Sequence, residues 1–162
     1  MSRLRENRDE IYIMSIPPTD LELQDDIFMD NPLVVIAPKN HALSKSKKLS
    51  LSDLSSERFI LRELGSGTRM ASDRHFAAAR FKPQIRLELG SNEAIKESVA
   101  AGLGIGIVSI HALKDAGPKS QIAILDVKGY PIASRWHVVY PKNRVLSPIA
   151  SAFRMTLLSD RP

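Results

Sequence analysis

Cysteine is absent from all 162 residues, and with it go disulfides, thiolate metal sites and catalytic thiols. A chain without thiols suits the reducing cytoplasm, which is the expected location. No hydrophobic run approaches the length of a membrane span, and Met1–Ser15 is too charged for a secretory signal, so no membrane partner is expected. The four histidines, His41, His75, His111 and His137, never show the H-x-x-x-H spacing of a helical metal site. His75 and His137 read as packed or surface residues. Ser66 between Gly65 and Gly67 mimics half a nucleophile elbow, but G-x-S-x-G is not satisfied. Glu63, Glu88 and Glu93 would serve acid–base work only if they met in space. No catalytic constellation emerges, so an enzyme and a resident cofactor are not expected. Aromatic residues are scarce at 6% and do not interleave with the basic ones. The net charge of +5 therefore does not argue for nucleic acid: its densest run, Lys45-Ser46-Lys47-Lys48 beside His41, reads as a solvated loop, and no stretch reads as a recognition helix.

What the chain does have is soluble globular composition, 43% apolar and 25% charged, in a length that fits one domain or two small lobes. It is organised around Ile85–Ser109. Ile85-Arg86-Leu87-Glu88-Leu89 alternates with the period of a strand that has one buried face. Gly90 breaks the run, and Ser91 or Asn92 offers an oxygen to cap a helix. On that helix Ile95 and Val99 share a face, while Glu93, Lys96 and Glu97 turn outward. Gly102 stands where a helix terminates, and Gly104–Val108 reads as a buried strand. Strand, helix and strand make a βαβ unit with parallel strands and a right-handed crossover.

A second unit of the same design lies upstream. Phe59–Glu63 is strand-like, Gly65-Ser66-Gly67 forces a tight turn, and Thr68 is the expected cap of a helix carrying Met70, Ala71, Phe76 and Ala79. Two helix N-termini following strands converge on one edge of a parallel sheet, where open α/β sheets bind ligands. Neither turn has the G-x-G-x-x-G or P-loop spacing, and either is also ordinary connecting chemistry. As a site, the candidates are Arg62, Gly65, Ser66, Gly67, Thr68, Arg69, Ser91, Asn92 and Glu93. Helix N-termini stabilise negative charge and arginine bonds it bidentately, so this set suits a small carboxylate or phosphate. Arg69, in the first helical turn, is the stronger of the two arginines. The alternative is that Arg69 packs over the helix and Arg62 pairs with Glu88.

Elsewhere, Ser2–Glu10 is polar and reads as a helix tail. Ile11–Ile16 is a strand stopped by Pro17-Pro18, and Asp20–Asp26 is acidic and turn-like. Leu33-Val34-Val35-Ile36 has the continuous apolar character of a strand buried on both faces. Pro38–Lys48 is loop, Leu49–Leu54 a short helix, Ala112–Ser120 a helix end and loop, and Ile122–Val127 a strand. Gly129-Tyr130-Pro131 is a turn and Trp136–Tyr140 a strand. The last helix starts with Ser147 as cap and Pro148 at its first position, and Ile149, Ala152, Phe153, Thr156 and Leu157 mark one buried face.

LRELGSGTRMA (61–71), LGSNEAIKESVAAGLGIGIVS (89–109) and LDVKGYPIASRWHVVYPKNRVLSPIASAF (125–153), with DNPLVVIAPKNHAL (30–43) before them, resemble the effector-binding domain of LysR-type transcriptional regulators. The wording is similar to the branch that controls RuBisCO and inorganic-carbon uptake genes. The resemblance implies an α/β fold of two Rossmann-like lobes of the type II periplasmic-binding-protein kind. Carried over, residues 1–37 and 133–162 form the first lobe and 38–132 the second, with crossings near Ala37-Pro38 and Ile132-Ala133. Leu33–Ala37 and Ser134–Tyr140 are then expected side by side. The family's DNA-binding helix-turn-helix, its linker helix and the opening strand and helix of the first lobe have no counterpart here. The first lobe is therefore expected to be incomplete at its N-terminus, to expose apolar surface, and to lack the family's Ser/Thr turn.

In function, the resemblance implies an effector-sensing domain that binds a small anionic metabolite of carbon metabolism to control transcription. The effectors it implies are 2-phosphoglycolate, ribulose bisphosphate, 2-oxoglutarate and NADPH. It further implies self-association as a dimer or tetramer, and DNA contact only through a helix-turn-helix outside this chain. The alternative is a stand-alone anion- or solute-binding protein, or a transferase lobe, of the same bilobal fold.

Overall fold

The computed structural model of the chain describes residues 2–113 and 120–159. In chain order its elements are α1 (Ser2–Arg5), β1 (Tyr12–Met14), β2 (Leu23–Asp30), β3 (Leu33–Pro38), β4 (Arg58–Arg62), α2 (Gly67–Ala78), β5 (Gln84–Leu89), α3 (Asn92–Ala100), β6 (Ile105–Ser109), β7 (Ile122–Ile124), β8 (Arg135–Pro141) and α4 (Pro148–Ser159). Short 3-10 turns occupy Ala42–Lys45, Leu51–Leu54 and Ile110–Leu113. The remainder of the expected 112–120 loop, Lys114–Lys119, lies outside the described residues. Contacts divide the chain into two units: Asn31–Ala133, and the segments before and after it, through Asp30 and from Ser134.

The larger unit is a five-stranded sheet in the order β5-β4-β6-β3-β7. β4 pairs in parallel with both β5 and β6, so β4 lies between the two strands of the expected βαβ unit. The sheet is mixed rather than parallel throughout, because β3 runs antiparallel to β6 and β7. β3 also places the first crossing earlier than Ala37-Pro38. Its pairing with β6 and β7 holds Leu33–Pro38 in the larger unit, so the chain enters that unit at Asn31. For the same reason Leu33–Ala37 does not pair with Ser134–Tyr140. The two strands belong to different sheets, and a single bridge from Leu33 to Ile132 stands in the place of the expected pairing.

Two apolar layers sandwich this sheet. Leu33, Val35, Phe59, Leu61, Ile105 and Ile107 face one layer, which Phe76 of α2 completes. Val34, Ile36, Ile60 and Val108 face the other, against Ile95 and Val99 of α3. β3 feeds both layers with alternate residues, as its unbroken apolar run requires. Burying a side chain of this size contributes about 1.5–3 kcal/mol, so the strand buried on both faces anchors the unit. The edge strand β5 is less covered: Ile85 is exposed, and Leu87 and Leu89 are half-buried. α3 sits unusually close to β6. A Cβ on Gly106 would fall 2.7 Å from Ile95 Cγ2 and 3.1 Å from Val99 Cγ2.

The smaller unit is an antiparallel sheet of order β1-β8-β2 with α4 alongside. The acidic stretch read as a turn is strand: β2 runs from Leu23 and pairs with β8 through Gln24–Tyr140, Asp25–Val139 and Asp26–Val138. Its carboxylates have partners, Asp25 against His137 Nδ1 at 2.7 Å and Asp26 accepting from Arg154 of α4 at 2.6 Å. The last helix begins as expected, with the Ala150 N–H donating to Ser147 Oγ at 3.2 Å. Its stripe is not core, however. Ile149 is 84% exposed and Phe153 48%, while the other side of the helix is tied to the sheet by the Arg154–Asp26 pair. Together with Ile11, Ile13 and Ala150 these residues line an open apolar cavity of about 530 Å³.

Two outcomes follow from the larger unit. Gly106→Ala should cost about 1–3 kcal/mol by overpacking; a urea midpoint equal to the parent's would show that α3 can lift from β6 freely. His75 packs edge-on against Tyr130, and its Nε2 is buried without a hydrogen-bond partner among the described residues. Burial holds this imidazole below the ordinary histidine range. The unfolded chain thus takes up the proton first. The stability that neutral His75 provides is present above pH ~6.5 and is lost as the pH falls through the lower folded value. His75→Phe should flatten the fall in stability between pH 7.5 and 5.5, measured by denaturation at each pH. An unaltered slope would remove His75 from that role.

Candidate functional site

The parallel pairing of β4 and β5 sets the site. Arg62 stands opposite Leu89 at the carboxyl ends of the two strands, and the Glu63 N–H donates to the Leu89 carbonyl at 3.1 Å. α2 and α3 therefore both begin at this edge of the sheet. After β4, Gly65 turns the chain at φ +89°, and Ser66 caps α2 by accepting from the Arg69 N–H at 3.0 Å. The cap is thus Ser66 and not Thr68. Ser66 has the extended backbone a cap needs, while Thr68 already lies in the first helical turn behind Gly67. Ser91 caps α3 in the same way, accepting from the Ala94 N–H at 3.1 Å.

Each cap uses one of the orphan amides of its helix. The N–H groups of Gly67 and Thr68 in α2, and of Asn92 and Glu93 in α3, have no partner among the described residues. The Thr68 hydroxyl is likewise uncommitted. Asn92 Oδ1 is buried with no hydrogen-bond partner among the described residues. Four amides, a hydroxyl and a carboxamide thus remain for a ligand at one sheet edge.

The charged candidates are placed differently from the sequence reading. Arg69 is 6% exposed, and its guanidinium is engaged within the unit. Its Nε donates to Asp73 at 3.0 Å, and its Nη1 to Glu88 at 2.7 Å and to the Arg62 carbonyl at 3.0 Å. Burial lowers the Arg69 pKa, but the bonds to Glu88 and Asp73 outweigh it and hold the group above its ordinary value. Arg69 is therefore a clamp joining the first turn of α2 to the ends of β4 and β5, and not a free anion ligand. Arg62 pairs with the adjacent Glu63 at 2.8 Å, so it is Arg69 that meets Glu88. The Arg62 hydrogen bond holds the Glu63 carboxyl below its usual range. Glu93 pairs with Lys96 at 2.8 Å, while Lys96 also donates to the Ala112 carbonyl.

The sequence reading missed a third component of this edge. Ser109, the last residue of β6, is buried and donates its hydroxyl proton to Asn31 Oδ1, while accepting from the His111 N–H at 3.2 Å. The available signal was a polar residue at the edge of each of two apolar runs, Asn31 one proline before Leu33–Ala37 and Ser109 directly after Ile105–Val108. Among the described residues no group of three acidic or histidine side chains could hold a metal ion. No helix among them is long and apolar enough to cross a membrane.

Truncating the clamp tests its role. Arg69→Met keeps the apolar stem but leaves the Arg62 carbonyl without that donor and two carboxylates unpaired. Because those carboxylates are partly exposed, a loss of about 1.5–3 kcal/mol is expected. A denaturation midpoint within error of the parent's would show that the clamp holds nothing.

The family model described as the LysR substrate binding domain matches residues 1–161. The HTH-type transcriptional activator CmpR of Synechocystis sp. is 44% identical over 153 residues, covering 94% of this chain and 50% of that protein. The RuBisCO operon transcriptional regulator of Acidithiobacillus ferrooxidans is 42% identical over 153 residues, with the same coverage of 94% and 50%. Among solved structures, the Synechocystis PCC6803 CcmR regulatory domain in complex with 2-PG has a TM-score of 0.93 at 41% identity, covering 99% of this chain and 77% of that one. The effector-binding domain of QuiR in complex with shikimate has a TM-score of 0.85 at 21% identity, over 99% and 75% of the two chains, a likeness of fold alone. The chain spans about half the length of the curated relatives it matches.

Proposed function

Since the chain belongs to the LysR substrate-binding-domain family, we propose that it senses a small anionic metabolite of carbon metabolism at the carboxyl edge of β4 and β5. Its fold is the bilobal α/β type of periplasmic binding proteins. The observation that carries the proposal is the pair of helix N-termini on one sheet edge, each with two unpartnered amides. Partial positive charge at a helix start favours an anion, and the N–H groups supply directional donors. The cations nearby are neutralised by Glu63, Glu88, Asp73 and Glu93. Binding therefore rests on backbone amides, Thr68 and Asn92 rather than on arginine.

Among the candidate effectors, 2-phosphoglycolate is placed first, because the CcmR domain was solved with 2-PG and shares this fold at 41% identity. Ribulose bisphosphate, 2-oxoglutarate and NADPH are the competitors. In the full regulator the bound metabolite acts on transcription through a DNA-binding segment elsewhere, within a dimer or tetramer. The chemistry at the site is recognition and not turnover: its relatives are transcriptional regulators.

Thr68→Val keeps volume and removes one donor. Because Ser66 is the cap, the variant should fold as the parent does. It should bind 2-phosphoglycolate about ten- to a hundred-fold more weakly, the value of a hydrogen bond to a charged group. Asn92→Leu should weaken binding from the other helix. Calorimetry with all four metabolites on parent and variants checks this. Parent-like affinity in both variants for every metabolite would place the ligand elsewhere.

A further inference from the structure

The opposite end of the same strands carries a second arrangement of charge. Arg58 opens β4 and Arg62 closes it, so the two ends lie about 13 Å apart. At the opening end, the register of β4 and β5 slips: Phe59 pairs with Ile85, but Ile60 pairs with Leu87. Arg86 is the extra residue. Such a bulge turns a side chain out of the regular alternation and is common beside functional sites. Arg86 Nη1 donates to the Leu103 carbonyl at 2.8 Å, spanning from β5 past β4 to a residue two positions before β6. That bond uses one donor of the fork and fixes its direction.

Arg58 makes no side-chain hydrogen bond or ion pair among the described residues. It and Arg86 line a cavity of about 270 Å³ together with His41, Glu57, Gly102 and Gly104. An adjoining cavity of about 240 Å³ is lined by the same two arginines with Gln84 and Ile85. Glycine is required in the wall: a Cβ on Gly104 would stand 2.2 Å from the Arg58 carbonyl. The one carboxylate in the larger cavity, Glu57, stands 3.3 Å from His41 Nε2. An uncommitted guanidinium, a second one braced by a bulge and an unfilled wall remain for a ligand. We propose that this arginine-lined cavity at the amino edge of β4–β6 is a second anion site. It takes a small oxyanion, phosphoryl or carboxylate, with two acceptor oxygens for the two forks. The carboxyl-edge site plays no part in this inference, and either can stand without the other.

Titration of the ¹⁵N-labelled chain with inorganic phosphate, and separately with malonate, tests it at low ionic strength. Amides of Arg58, Arg86, Leu103 and Gly104 should shift saturably with at least one of the two. Phosphate alone assigns a phosphoryl ligand and malonate alone a dicarboxylate. Arg58→Gln breaks no hydrogen bond or ion pair among the described residues, so it should fold normally and weaken that binding at least tenfold. Arg86→Gln should do the same, and Thr68→Val should leave it unaltered. The proposal fails if neither anion moves these amides, if shifts are confined to residues around Thr68 and Asn92, or if Arg58→Gln binds as the parent does.

Discussion

Parallel pairing of β4 with β5 and β6 is the constraint from which the larger unit follows. Parallel neighbours cannot be joined by a tight hairpin, so each connection must return across the sheet, and here each return carries a helix. With three strands pointing one way, every helix between them starts at the carboxyl edge and the chain re-enters at the amino edge. α2 and α3 thus cover opposite faces, through Phe76 on one and Ile95 with Val99 on the other, while their N-termini share an edge. The uncommitted amides lie together for this topological reason. Arg69 then holds the junction, because one guanidinium reaches the end of β4, the side chain of Glu88 on β5 and Asp73 one turn along its own helix.

The two ends of these strands handle charge by different means. At the carboxyl edge, carboxylates neutralise Arg62, Arg69 and Lys96, leaving backbone dipoles as the attractive field. At the amino edge, among the described residues, Arg58 is uncommitted and Arg86 is bonded only to a carbonyl. Backbone donors are short, rigid and fixed by the helix, which favours selection by shape. Guanidinium groups carry full charge on longer stems, which favours capture of any anion with suitably spaced oxygens.

Much of this was legible in the residues because it is local. Ser91, the Ile95–Val99 pair and Gly102 lie within the segment they organise, and the helix from 92 to 100 ends with Gly102 at φ +77°. The family was legible for a related reason, since the quoted segments span both strand–turn–helix units. What was not legible depends on partners distant in the chain. Asp25 and Asp26 look like turn residues until His137 supplies a hydrogen-bond partner and Arg154 a counter-charge from the other end of the sequence. Arg69 looked like a free ligand because Glu88, nineteen positions on, is brought to it only by strand pairing. The choice of Ser66 over Thr68 as cap rests on backbone angles that composition does not specify. α4 shows the limit of periodicity: a stripe at Ile149 and Phe153 reports that one face is apolar, not that anything covers it.

The close seating of α3 on Gly106 bears on the entropy of recognition. With no side chain between the helix and β6, Ile95 and Val99 rest almost directly on strand backbone, and packed interiors of this density yield little. The amides at the start of α3 are therefore held still by the strand behind the helix. An anion docking there, as proposed, would find its donors already arranged, the ordering cost that usually opposes association having been met when the chain folded.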